Sequence, residues 1–158
     1  MSTLLGRAIR RGAGPSTTDT IDVAAAATVA VTSEQELYPV DHLFDGRSGI
    51  GGSCWVAKTP GPQTIILRFH VPIAVTSVIV ESEERSVTCT QQLHMAGWSE
   101  HRQAPFDAPP RLLRYSPYGP SFHRETWDVA DPGVSHVWFR VRPGEPDRLA
   151  TLTAIILR

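Results

Sequence analysis

Across residues 64–71 the chain sets an apolar side chain at every second position: Ile65, Leu67, Phe69 and Val71 alternate with Thr64, Arg68 and His70, and only Ile66 breaks the pattern. A period of two belongs to a pleated strand with one buried face, because successive side chains point to opposite sides. The same period returns along the chain. Residues 75–81 are dense in β-branched side chains, at Val75, Thr76, Val78, Ile79 and Val80. Residues 86–95 place Val87, Cys89, Leu93 and Met95 on one side and Thr88, Thr90, Gln92 and His94 on the other. Residues 125–129 and 136–142 repeat the pattern, the latter with Val137, Phe139 and Val141 facing in and His136, Trp138, Arg140 and Arg142 facing out. Residues 149–157 form a strongly apolar final strand.

Between these runs stand turn formers. Pro72 is expected to stop the first strand, and Glu83-Glu84-Arg85 to form a solvated turn ahead of residues 86–95. The 13 Pro and 12 Gly fit many short connections. Residues 24–30 run apolar into Val29 and Val31 as a further strand. No stretch carries a helical apolar stripe over the ten or so residues a typical helix needs, beyond one turn near residues 40–44. The expected fold class is therefore all-β: an antiparallel β-sandwich, or jelly roll, in which two sheets bury their inner faces against each other.

Residues 1–20 are rich in Gly, Ser, Thr and Arg without a sustained period and read as a flexible N-terminal tail, leaving residues 21–158 as one domain. The early Arg7, Arg10 and Arg11 lead to Gly12-Ala13-Gly14-Pro15 rather than to the apolar core of a secretory signal, so the expected location is cytoplasmic. No apolar run approaches the roughly 20 residues that span a bilayer. Only Cys54 and Cys89 are present; two reduced thiols are the simpler expectation, and spacing does not decide whether they meet. A formal net charge of -1 gives no long-range field for polyanions, so a nucleic-acid partner is not expected unless a local basic patch exists.

Two stretches carry a family resemblance. Tyr38-Pro39-Val40-Asp41-His42-Leu43-Phe44-Asp45-Gly46, with Trp55 nine residues further on, and Pro62-Gln63-Thr64-Ile65-Ile66-Leu67-Arg68-Phe69 leading into Pro72-Ile73-Ala74-Val75-Thr76-Ser77-Val78-Ile79-Val80, together resemble the discoidin, or coagulation-factor type C, domains of the galactose-binding-like superfamily. The resemblance implies a galactose-binding-domain-like sandwich whose loops at one end hold the ligand, commonly a carbohydrate. Gln63-Thr64-Ile65 stands where the family usually opens a strand with an indole, and Ala154 stands near where relatives carry an acid for a structural calcium. With calcium needing roughly six to eight oxygen ligands, no obligatory metal and no cofactor are expected.

Three loops are candidates for binding. Residues 46–53 are glycine-rich, with Arg47 their one charge; Gly46 suits a positive-φ turn in which Asp45 accepts backbone N–H groups. Residues 97–111 gather Trp98, His101, Arg102, Gln103 and Phe106, a set suited to stacking on a sugar while hydrogen-bonding its hydroxyls, or else Trp98 and Phe106 cap the core. Residues 115–124 add Tyr118, His123 and Arg124. Trp55 and Trp127 read as core, whereas Trp138 is either covered by the tail or part of an exposed patch. The six His show neither His-x-His nor His-x-x-x-His spacing, no Gly-x-Ser-x-Gly elbow occurs, and no catalytic residue is assigned. The expected function is a non-catalytic module that recognises a carbohydrate or similar polyol through Trp98, His101, Arg102, Tyr118, His123 and Arg47. The alternative is a cytoplasmic protein-interaction domain with no sugar ligand.

Overall fold

The computed structural model describes residues 5–9 and 20–158. Ten strands follow in chain order: β1 (Leu5–Ala8), β2 (Ala27–Val31), β3 (Trp55–Val56), β4 (Gln63–Glu83), β5 (Cys89–Ser99), β6 (Ala104–Asp107), β7 (Arg111–Tyr115), β8 (Phe122–Pro143), β9 (Thr151–Leu152) and β10 (Ala154–Leu157). One α-turn, α1 (Val23–Ala26), precedes β2, and a 3-10 turn spans Val40–Phe44, where the sequence predicts its one helical turn. Asp22 caps α1 by accepting the Ala25 N–H, so the apolar run expected to be all strand begins as a single turn of helix.

All pairings are antiparallel. The two long strands, β4 and β8, pair along nearly their whole length but change neighbours midway. The first half of β4 lies between β2 and the second half of β8, which continues to β5 and then to β6 and β7. The second half of β4 lies between β10 and the first half of β8. Between the halves the register shifts at residues 68–77. Pro72, expected to end a strand, instead sits in this irregular stretch. Proline lacks an N–H to donate, and a bulge is a place in a sheet that tolerates that loss. The alternation slips there too, leaving Val71 65% exposed.

The inward set is as the alternation requires. Ile65 pairs with Phe139 and Leu67 with Val137, and Met95 faces Phe139 from the other side. These residues, with Val78, Val80, Trp127, Ile155 and Leu157, belong to one buried cluster. Fully burying a side chain of this size contributes about 1.5–3 kcal/mol, so this shared core holds the two halves face to face. Trp55 is fully buried and donates its indole N–H to the Ser33 carbonyl at 3.0 Å, as its expected core role requires.

Three further departures stand out. The final apolar run is split: β9 pairs with β3 while β10 pairs with β4. Of residues 1–20, expected to be a flexible tail, 1–4 and 10–19 lie outside the described residues. Leu5–Ala8 pairs with β2, and Ile9 is buried. Residues 97–111, expected as a long insertion, form a β5–β6 hairpin that returns into β7. Gly97 is required there, because a Cβ would fall 2.3 Å from Phe106 Cζ and 2.5 Å from the His136 carbonyl oxygen.

Candidate functional site

The strand directions sort the loops to two ends. β5 runs from Cys89, opposite Tyr115, to Ser99, opposite Val134. Its 11 residues span roughly 35 Å at about 3.3 Å per residue, so turns at its two ends cannot share a ligand. Residues 84–88, 116–121 and 144–150 leave the sheet at the Cys89 end, and the glycine-rich loop is fastened to the same end. The turn at residues 100–103 lies at the other.

At the Cys89 end the glycine-rich loop, the end of β4 and residues 147–153, with Gln35 and Tyr38, line an open cleft of about 620 Å³ whose lining includes Tyr38, Cys54, Glu83, Glu84, Arg148 and Thr151. Its charged groups are held in place. Glu83 accepts the Gly51 N–H at 3.1 Å and pairs with Arg85 at 2.7 Å. Glu84 accepts the Ser86 N–H and takes the Arg148 guanidinium at 2.8 Å. Behind them Glu81, fully buried, accepts the Gly49 N–H at 2.9 and 3.2 Å and meets Arg124 at 2.8 Å. Two glutamates at i and i+2 on β4 thus fasten the glycine-rich loop through its own amides. Gly49 and Gly51 hold φ of 85° and 82°, a conformation that side chains disfavour. At the loop entrance Gly46 has φ 81°, and Asp45 accepts the Arg47 N–H at 2.9 Å, the turn that the sequence predicts.

Cleft walls of this kind suit a polyol. Carboxylates accept hydroxyl protons, guanidinium groups donate to hydroxyl oxygens, and Tyr38, 42% exposed, offers a ring against which a sugar face packs. Cys54 and Cys89 are both free, and burial pushes the Cys54 thiol above its ordinary range, so it stays protonated and is no activated nucleophile. The second carboxylate oxygen of Asp45 is engaged by Ser53, and among the described residues no group of three His, Cys, Asp or Glu is placed to hold a metal ion.

The six residues singled out from the sequence do not converge. Arg47 is exposed on the glycine-rich loop and Tyr118 is fully exposed on the turn after β7, both at the cleft end. His123 is half-buried near that end, its Nε2 2.6 Å from the Arg114 carbonyl oxygen and its ring edge-on to Tyr115. His101 and Arg102 occupy the opposite turn. Arg102 there pairs with buried Asp131 at 2.9 Å. Although burial opposes ionisation, hydrogen bonds from Ser99, Gly133 and Arg102 hold the Asp131 carboxyl below its usual range, a structural latch on the turn. Trp98 sits on β5 with its side chain half-buried on the outer face, and Phe106 packs against the core. Sequence reasoning missed Tyr38, Glu83, Glu84 and Arg148, which come from segments far apart in the chain. The available signal was the i, i+2 glutamate pair at a strand end in a chain that also carries a glycine-rich loop needing anchors.

No family model matches the chain, and no curated protein sequence matches it. Solved structures do. The family 32 carbohydrate-binding module of NanJ from C. perfringens, solved in complex with galactose, superposes with a TM-score of 0.60 at 13% identity, over 88% of this chain and 97% of that one. A second C. perfringens family 32 module, solved in complex with GlcNAc-α-1,4-galactose, gives 0.57 at 11% identity over 92% and 99%. The C-terminal domain of a chitobiase from Bacteroides fragilis gives 0.58 at 11% identity over 89% and 97%. The fold of this chain is the galactose-binding-like β-sandwich.

Proposed function

We propose that the chain is a non-catalytic binding module, of the discoidin type within the galactose-binding-like fold, which recognises a carbohydrate or similar polyol at its loop end. The observation that carries this reading is the cleft at the Cys89 end of the sheet, where Tyr38, Glu83, Glu84 and Arg148 meet. The carboxylates and Arg148 bind ring hydroxyls there, and Tyr38 packs on a pyranose face; Arg47 and Tyr118 lie on loops at the same end of the sheet, outside the cleft lining. Galactose and a galactose disaccharide bound by two of the similar structures support this class of ligand. A small open site of this kind binds weakly, because it buries little area.

A glycan array of neutral oligosaccharides, probed with the intact chain and with Tyr38→Ala and Arg148→Gln variants, tests the proposal. Binding to at least one neutral sugar that drops tenfold or more in both variants is expected. An array without any hit, or hits indifferent to both substitutions, contradicts it.

A further inference from the structure

The outer face of the sheet β2-β4-β8-β5-β7 carries a charge pattern that the cleft does not explain. Register places Arg68 opposite His136, Arg140 opposite Thr64, Arg142 opposite Gln92 and Arg114 opposite Thr90. Each of these arginines alternates with buried neighbours such as Leu67, Phe139, Val141 and Leu113, so all four project from the outer side, and all four are exposed. Five arginines elsewhere are neutralised: Arg85, Arg102, Arg111, Arg124 and Arg148 each lie within 2.9 Å of a carboxylate. Among the described residues, none of the four on this face has such a partner. Among the described residues the acidic groups at this face stand at its margins: Asp107 at the β6 edge, bonded to His94, and Glu100 in the turn after β5, near enough to act on His136. In a chain of near-zero net charge, four guanidinium groups without a carboxylate partner among the described residues thus share one sheet face.

Their order defines a track. With strands about 4.8 Å apart and residues about 3.3 Å apart along each, a diagonal from Arg114 through Arg142 and Arg140 to Arg68 runs roughly 30 Å. Trp138 lies on this line and Trp98 beside it, both half-buried. Burial, and then Arg68, hold the His136 imidazole below its ordinary range, so at neutral pH the charge of the face comes from its arginines.

We propose that this face is a second binding surface, separate from the cleft, that takes an acidic polysaccharide. Guanidinium forks pair bidentately with carboxylate or sulfate groups, and spaced single charges suit a polymer that bears an anion on its sugar units. The two indoles give apolar edges for the pyranose rings between charges. Single-stranded nucleic acid fits less well. Base stacking needs open ring faces, whereas His94 stands edge-on to Trp138 at 5.0 Å between centroids and both indoles are half-covered. A second copy of the chain would bring four unpaired guanidinium groups against four more.

Affinity electrophoresis and calorimetry of the full chain test this, with polygalacturonate, heparin, neutral dextran and an oligothymidylate as probes at low and raised salt. Retention by polygalacturonate, heparin or both, lost as salt rises and absent on dextran, is expected; which polymer binds tells carboxylate from sulfate. The double variant Arg140→Gln/Arg142→Gln weakens that binding at least tenfold, keeps the parent's thermal unfolding, and leaves any neutral-sugar binding at the cleft unchanged. A null result at the cleft therefore does not touch this proposal. No retention by either acidic polymer at low salt, binding unchanged in the double variant, tighter binding of the oligothymidylate than of both polymers, or a dimer that masks the face overturns it.

Discussion

The carboxylate of Glu81, at zero exposure near the end of β4, accepts the backbone N–H of Gly49 through both its oxygens, at 2.9 and 3.2 Å. Gly49 lies 32 residues earlier in a loop with little apolar anchorage of its own. Together with the bond from Gly51 to Glu83, this pairing turns a glycine-rich segment into a fixed wall of the cleft.

Glu81→Gln keeps the shape and an acceptor for Gly49 but removes the charge opposite Arg124. Arg124 is 42% exposed at its side chain and can be rehydrated, so the loss stays below that of stranding a fully buried charge. A destabilisation of about 2 kcal/mol in urea unfolding is expected. Hydrogen exchange at the Gly49 and Gly51 amides should accelerate well beyond that of the β5 and β8 amides. Unchanged exchange at those glycines would show that the loop is held some other way.

Gly97 faces inward between Phe106 and the backbone of His136, where a Cβ has no room. Gly97→Ala is expected to destabilise the fold by about 1–3 kcal/mol through overpacking. Adding Phe106→Ala should recover only part of that loss, since the His136 carbonyl oxygen remains 2.5 Å from the new methyl. Denaturant unfolding of the single and double variants checks both statements.

Tyr115 is buried against Ser82, whose hydroxyl lies 2.6 Å from the phenol, and burial pushes its pKa up to about 12. Because the folded state disfavours the phenolate, the stability tied to this group is full below the unfolded value near 10 and falls as the pH rises from about 10 to 12. Tyr115 should ionise only near pH 12 in an ultraviolet tyrosinate titration. Tyr115→Phe should flatten the alkaline loss of stability over the same range.

The sequence conveyed the sandwich more fully than the site, and the reason lies in the range of each signal. Alternation is local: Ile65, Leu67, Phe69, Val137, Phe139 and Val141 announce their buried face within a few residues, and all six are buried. Where the backbone leaves the regular pleat, as around Pro72, the same rule misplaced Val71. Candidate binding residues were judged by composition within one loop, so Trp98, His101 and Arg102 drew notice as a cluster, although register carries them to the end of β5 away from the cleft. The cleft itself is assembled from Tyr38, Glu83 and Arg148, separated by up to 110 positions, and no local pattern joins them. Glu83 read as part of a solvated turn because its partner Gly51, 32 residues away, leaves no mark on its own neighbourhood.

The claim that a polyol binds at the loop end is tested most directly by an amide NMR titration of the intact chain with galactose and N-acetylgalactosamine to millimolar concentration. The account predicts saturable shifts concentrated at Gly52, Cys54, Glu83, Glu84, Arg148 and Thr151, with the 100–103 turn unmoved. Shifts confined to that turn and Trp98, or no shifts with these sugars, would contradict it.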